Sequence, residues 1–96
     1  EYTYTRMVEA AGRKGDVFIG ISTSGNSPNV VKAMQKAKEI EMLTVGFTGK
    51  DGGKMKDICD STICVPSVDV PRIQEAHILI GHIICQLIEE EMFPNA

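Results

Sequence analysis

The stretch Gly20 to Pro28, Gly-Ile-Ser-Thr-Ser-Gly-Asn-Ser-Pro, joins an apolar run to an amphipathic one and restricts the fold more than any other segment of the chain. Before it, Val17-Phe18-Ile19-Gly20-Ile21 has the short continuous hydrophobicity of a strand covered on both faces, as in a parallel sheet. After it, Val30, Val31, Met34 and Ala37 recur at helical spacing. The segment is therefore a strand-to-helix turn, with Ser27 where an N-cap belongs, Pro28 suited to the first helical position and Gly25 supplying backbone freedom. The first amides of the helix lack partners within it and carry the positive end of its dipole. With the hydroxyls of Ser22, Thr23, Ser24 and Ser27 they can surround a phosphate. The same residues also make a well-capped polar turn, and the loop alone does not separate the two readings. It lacks the lysine of a Walker loop and the glycine spacing of a dinucleotide fingerprint, so a bound nucleotide is not indicated.

The remaining segments repeat the pattern. Glu1 to Gly12 reads as the last turns of a helix with its stop, and Asn29 to about Glu41 as a complete helix. Leu43 to Thr48 is a second strand, Lys54 to Asp57 a helical turn, and Ser61 to Val65 a third strand ending at Pro66. Strands alternating with helices give a parallel α/β sheet, and ligands of such sheets lie beyond the carboxyl ends of the strands. The Ser22–Ser27, Thr48–Gly53 and Pro66–Pro71 loops all fall there. Lys50 and Lys54, within a Gly- and Asp-rich loop, read as solvated turn residues.

The last element, about Arg72 to Phe93, is a helix that is apolar around most of its circumference. Burial of Ile73, Ile78, Leu79, Ile83, Ile84, Leu87 and Ile88 requires both the sheet and a further surface, which predicts an oligomer. Gly81 in mid-helix fits a closely approaching neighbour. Gln74, Glu75, His77, His82 and Gln86 sit within this apolar helix and are expected to need partners. Gln74 and His82 are eight residues apart, about 12 Å along the axis and about 80° around it, so they reach one point only near full extension. No HExxH or tight metal cluster is present.

Composition excludes several classes. A net charge of −3 with scattered lysines is not a nucleic-acid footprint, and no apolar run approaches the roughly 20 residues of a membrane span. Nothing at the N-terminus reads as a signal peptide. Cys59, Cys64 and Cys85 are odd in number and lack CxxC spacing, so they are expected as buried free thiols in a reducing cytoplasm.

Taken together, Gly20-Ile-Ser-Thr-Ser-Gly-Asn-Ser27, Thr48-Gly-Lys-Asp-Gly-Gly-Lys-Met55 and Arg72-Ile-Gln-Glu-Ala-His77 with His82 resemble the sugar isomerase (SIS) family, most nearly its phosphoheptose isomerase branch. The resemblance runs over essentially the whole chain. It implies a flavodoxin-like, three-layer αβα sandwich of which residues 1–96 form the C-terminal part of a single domain. It implies an aldose-ketose isomerase acting on sedoheptulose 7-phosphate for heptose and lipopolysaccharide core biosynthesis, in a cytoplasmic homotetramer with a zinc ion in each active site. By the same resemblance Ser22, Thr23, Ser24 and Ser27 bind the sugar phosphate, Gln74 and His82 are zinc ligands, Gln74 also meets substrate, and His82 transfers protons. The family's catalytic glutamate, a further zinc histidine and the first two strands belong to a preceding half, so the chain holds half an active site. It is expected to expose a sheet edge and an apolar helix and to pair with other chains. The rival in another class is the non-catalytic SIS module of the replication initiator-associating type, which shares these motifs but lacks a histidine at the position of His82. A sugar-phosphate-sensing regulator is a further rival, disfavoured because nothing basic accompanies the domain.

Overall fold

Three parallel strands form a sheet in the order β1 (Val17–Ile21), β2 (Leu43–Gly49), β3 (Ser61–Val65) in the computed structural model, which describes residues 3–94. The helices are α1 (Thr3–Ala11), α2 (Pro28–Glu39), α3 (Met55–Ile58) and α4 (Val70–Met92). Glu1 and Tyr2, included in the first helix by the sequence reading, lie outside the described residues. Pairing is in register from Val17 beside Leu43 to Ile21 beside Phe47, and from Val45 beside Ser61 to Gly49 beside Val65. The α/β class and the parallel sheet expected from the alternating pattern are both present.

Alternation along the strands assigns the two faces. Gly20 faces Val30 and Met34 of α2, and Gly46 faces Met55 of α3 and Cys59, so α2 and α3 cover one side. Phe47 meets His77, and Gly49 leaves room for Ile73, so α4 covers the other. The α2 side holds most of the core. Val8, Ala33, Ala37 and Met42 form one cluster and Val31, Met34 and Met55 another, with Phe18 packed against both.

Element ends follow local chemistry. Helix α2 stops at Glu39 because Glu41 turns left-handed at φ 68°. The amides of Glu41 and Met42 then reach back to the carbonyls of Lys38 and Ala37, a Schellman closure that a sequence ending the helix near Glu41 does not reveal. Helix α4 begins at Val70, two residues before the expected Arg72, because Pro71 is compatible with a first turn.

Helix α4 shows the apolar exposure expected of it. It lies mainly over β2 and β3, and only Ile73 and His77 are buried. Ile78, Leu79, Ile83, Leu87, Ile88 and Met92 are exposed, as are Val17, Ile19, Ile21 and Leu43 on the uncovered side of the sheet. Apart from its own helix backbone, nothing among the described residues lies within 4 Å of a Cβ placed on Gly81, so the space beside that glycine is open. The three thiols are not buried: Cys64 and Cys85 are exposed and Cys59 is partly covered. The correction has a cause in the fold. Cys64 lies on edge strand β3, and Cys85 lies on a stretch of α4 that no other element covers.

At the amino end of β2, Asp60 Oδ2 accepts from the Thr44 amide at 2.8 Å and its hydroxyl at 3.0 Å, and Lys38 Nζ lies 3.1 Å from Oδ1. These bonds, the Thr44 amide foremost, hold the Asp60 carboxyl below the ordinary carboxylate value. The folded form binds this proton less readily than the unfolded one. Its stabilisation is therefore complete above about pH 4 and lost as pH falls through the lower folded value. Asp60→Asn removes that contribution, so the stability gap between wild type and variant is expected to shrink on acidification from about pH 6 to about pH 3 in urea titrations. An unchanged gap contradicts the assignment.

Candidate active site

The β1 ladder runs one residue past the strand, with the Ser22 amide donating to the Phe47 carbonyl at 2.9 Å, and the chain then folds under itself. Ser22 is buried. Its Oγ accepts from the amides of Gly25 at 3.1 Å and Ser27 at 3.4 Å. Ser24 Oγ accepts from the Asn26 amide at 3.1 Å. Ser27 occupies the N-cap position of α2 but its side chain forms no capping bond, contrary to the simplest reading of Ser-Pro at a helix start. The hydroxyl that organises the loop is that of Ser22, while Thr23, Ser24 and Ser27 are half-buried at its surface.

A second loop holds this one in place. Gly25 sits at φ +72°, and a Cβ there would overlap the Gly52 carbonyl; Gly53, at φ +56°, is pressed as closely on the Ser24 carbonyl. Asn26 Oδ1 accepts from the Lys54 amide at 2.8 Å, and the Met55 amide donates to the Gly25 carbonyl at 3.0 Å. The Lys50 amide donates to the Ser67 carbonyl at 2.9 Å, which ties in the loop after β3. Ser24 and Asn26 thus share an open cleft with Lys50, Asp51 and Ser67. The three loops at the carboxyl ends of the strands meet, as a parallel sheet predicts.

Beside this cluster, Gln74, His77, Gly81, His82 and Cys85 of α4, with Ile21 and Phe47 from the sheet, line an open groove of about 530 Å³. That volume falls within the range of small-molecule sites. Gln74 and His82 are both exposed on it. His77 is buried, and its Nε2 donates to the Thr48 carbonyl at 2.8 Å. The other polar residues of α4 find surface partners rather than buried ones: Glu75 pairs with Arg72 at 2.7 Å and Gln86 bonds Glu90 at 3.2 Å.

Imidazole nitrogen is a common zinc donor, and an amide oxygen is a weaker oxygen donor. Gln74 and His82 open onto one groove, and by donor type they could supply two positions of a metal site. Among the described residues no group of three His, Cys, Asp or Glu completes such a site.

Three residues of this region, Asn26 and the Gly52-Gly53 pair, form the contact between loops, a role the sequence reading did not assign to them. The signal was the coincidence of a lone loop glycine with a glycine pair one strand later, which becomes meaningful only when the strands are placed side by side.

The loop contact is testable through stability. A non-glycine residue held at left-handed φ costs about 1–3 kcal/mol, and Gly25→Ala adds overlap with Gly52 to that cost. Gly15, at φ +90° with nothing within 4 Å of a Cβ, is the control. Gly25→Ala is expected to destabilise more than Gly15→Ala in urea titrations of the full-length protein. Equal losses exclude a contribution from the docked loop.

Comparison with known proteins agrees with this geometry. A family model described as SIS domain matches residues 1–49. A phosphoheptose isomerase of Clostridium acetobutylicum is 60% identical over 94% of this chain and 46% of its own length. Phosphoheptose isomerase 2 of Campylobacter jejuni is 58% identical over 97% of this chain and 46% of its own. Among solved structures, the phosphoheptose isomerase of Neisseria gonorrhoeae superposes with a TM-score of 0.88 at 44% identity, over 91% of this chain and 50% of that one. The enzyme from Francisella tularensis gives 0.89 at 34% identity, over 93% and 48%. The chain thus spans about half the length of the curated relatives it matches. By its strand, serine-rich turn and helix, and by these matches, the chain belongs to the SIS domain family.

Proposed function

We propose that this chain is the C-terminal part of a single SIS domain that isomerises sedoheptulose 7-phosphate to D-glycero-D-manno-heptose 7-phosphate. One observation carries the reading. Ile21 lines the groove that holds Gln74 and His82, and the next residue, Ser22, begins the serine-rich loop, so a phosphate anchor and a proton-transferring side chain adjoin across one residue. High identity to named phosphoheptose isomerases supports the choice of substrate.

In this reading the loop holds the phosphate through neutral donors: the hydroxyls of Thr23, Ser24 and Ser27 and the free amides at the start of α2, with Ser22 keeping the loop closed. The sugar then extends along the groove toward Gln74 and His82. Ketose-to-aldose conversion removes a proton from one carbon, passes through an enediol and returns a proton to the adjacent carbon, while a second proton moves in the same sense, from the hydroxyl of the first carbon to the carbonyl oxygen of the second. It therefore needs a base at carbon and an acid/base at the oxygens. His82 is an exposed imidazole in the groove, a side-chain type suited to proton transfer. Gln74 and His82 would hold zinc, with the remaining ligands and the carbon base supplied from outside this chain. When bound, zinc would polarise the substrate carbonyl.

The reading extends to a cytoplasmic homotetramer that feeds lipopolysaccharide or other heptose glycans. The exposed apolar face of α4 supports an assembly, and no helix among the described residues is long and apolar enough to cross a membrane. The non-catalytic SIS module is disfavoured by His82 standing on the groove.

Two substitutions in the full-length protein test the roles. His82→Ala is expected to lower turnover of sedoheptulose 7-phosphate by about 10²- to 10⁴-fold, the usual worth of a positioned acid/base; undiminished turnover refutes the assignment. Ser24→Ala is expected mainly to weaken substrate binding, by about 1.5–3 kcal/mol for a hydroxyl on a charged phosphate. A fall in turnover at unchanged affinity would place Ser24 in the chemistry instead.

A further inference from the structure

Helix α4 carries Gln74 and His82, yet it is held to the sheet at very few places. Only Ile73 and His77 are buried. Ile73 sits against Gly49, where any side chain on the strand would collide with it. Among the described residues, the bond from His77 to Thr48 is the single hydrogen bond from an α4 side chain to the sheet. Its chemistry is determined by the acceptor. A carbonyl oxygen cannot donate, so Nε2 carries the proton, and in the neutral ring Nδ1 is left as an acceptor. Nδ1 is buried and has no partner. The ring is further fixed against Phe47, with centroids 5.8 Å apart and planes inclined by 44°.

The acceptor's place in the fold gives the bond a second consequence. Thr48 is followed by Gly49 and then by the turn whose Gly52 and Gly53 receive the Ser22–Ser27 loop. One hydrogen bond therefore joins the strand that supports the serine-rich loop to the helix that bears His82. His82 lies five residues beyond His77, about 7.5 Å along the axis.

We propose that His77 is a positioning residue: through its Nε2 bond to the Thr48 carbonyl it fixes α4 along β2, and so sets His82 and Gln74 at the distance from the serine-rich loop that the isomerised carbons require. The kinetic consequences rest on the isomerase reading; the state of the ring does not. Losing the bond shifts the helix and leaves the loop, which is docked on Gly52 and Gly53 independently of α4. A displacement of about 1 Å at a reacting group costs on the order of 10²-fold in rate.

The test compares two substitutions in the full-length enzyme. In His77→Gln the side-chain amide reaches the place of Nε2 and keeps the donor. In His77→Asn it falls one carbon short. Both lose the aromatic contact with Phe47, so a purely packing role affects both alike. His77→Asn is expected to lower kcat by about 10²-fold while inhibition by inorganic phosphate stays unchanged, and His77→Gln to restore most of that loss. Equal impairment of the two variants, or phosphate inhibition weakening in step with kcat, overturns the proposal. Nitrogen-15 NMR of the unsubstituted protein provides an arm that needs no variant to fold: a proton on His77 Nε2 is expected, and a ring protonated on Nδ1 alone overturns the proposal. If the wild-type protein shows no isomerase activity, the functional reading fails while the ring measurement still decides whether the bond exists.

Discussion

The candidate site is placed by β2, which among the described strands is the one paired on both edges and covered on both faces. A strand in that position must accommodate helices from two sides, and its sequence does so by alternating bulk with absence of bulk. Gly46 admits Met55 and Cys59 on one face, Gly49 admits Ile73 on the other, and Phe47 between them fills the α4 side. Its two ends are secured by polar bonds, Thr44 to Asp60 at the amino end and the Thr48 carbonyl to His77 at the carboxyl end. Between these bonds the strand has little freedom to slide, and the loop that follows it inherits that rigidity.

The proposed division of labour follows from the same geometry. The anion-binding part is built from backbone amides and hydroxyls, groups whose donor strength does not depend on pH near neutrality. The side chain proposed to move protons, His82, sits on a separate element, α4. Substrate affinity and proton transfer are thereby assigned to different segments, which meet only because β1 ends where the groove begins. The described residues carry both parts of that proposed arrangement, and no group of three His, Cys, Asp or Glu among them could hold a metal ion.

Much of this was legible in the residues. The bounds of Val17–Ile21 and Ser61–Val65 follow from apolar runs bracketed by glycine, proline and serine, and β2 runs one residue longer than its β-branched core suggests. The serine-rich turn was legible as a turn, because Gly25 and Pro28 constrain backbone locally. Which hydroxyl closes it was not, since Ser-Pro at a helix start points to Ser27 as the cap, whereas Ser22 is the one that lies beneath the amides once the loop folds. Apolar periodicity showed that α4 needed cover but not that its own sheet supplies so little. Likewise, nothing local distinguishes His77 from His82. One is anchored and the other open because Thr48 happens to lie opposite the former, a fact of tertiary register rather than of sequence pattern.

The sparse attachment of α4 also gives it the mechanics of a lever. Among the described residues α4 buries only Ile73 and His77, and a stiff helix held there alone would pivot about a fulcrum near its first two turns. Met92 is about 22 Å beyond His77 and His82 about 7.5 Å beyond it. Lateral movement of the far end is thus reduced about threefold at the imidazole, so a surface that seats Ile83, Leu87 and Ile88 with ordinary precision aims His82 more finely than it holds the helix tip.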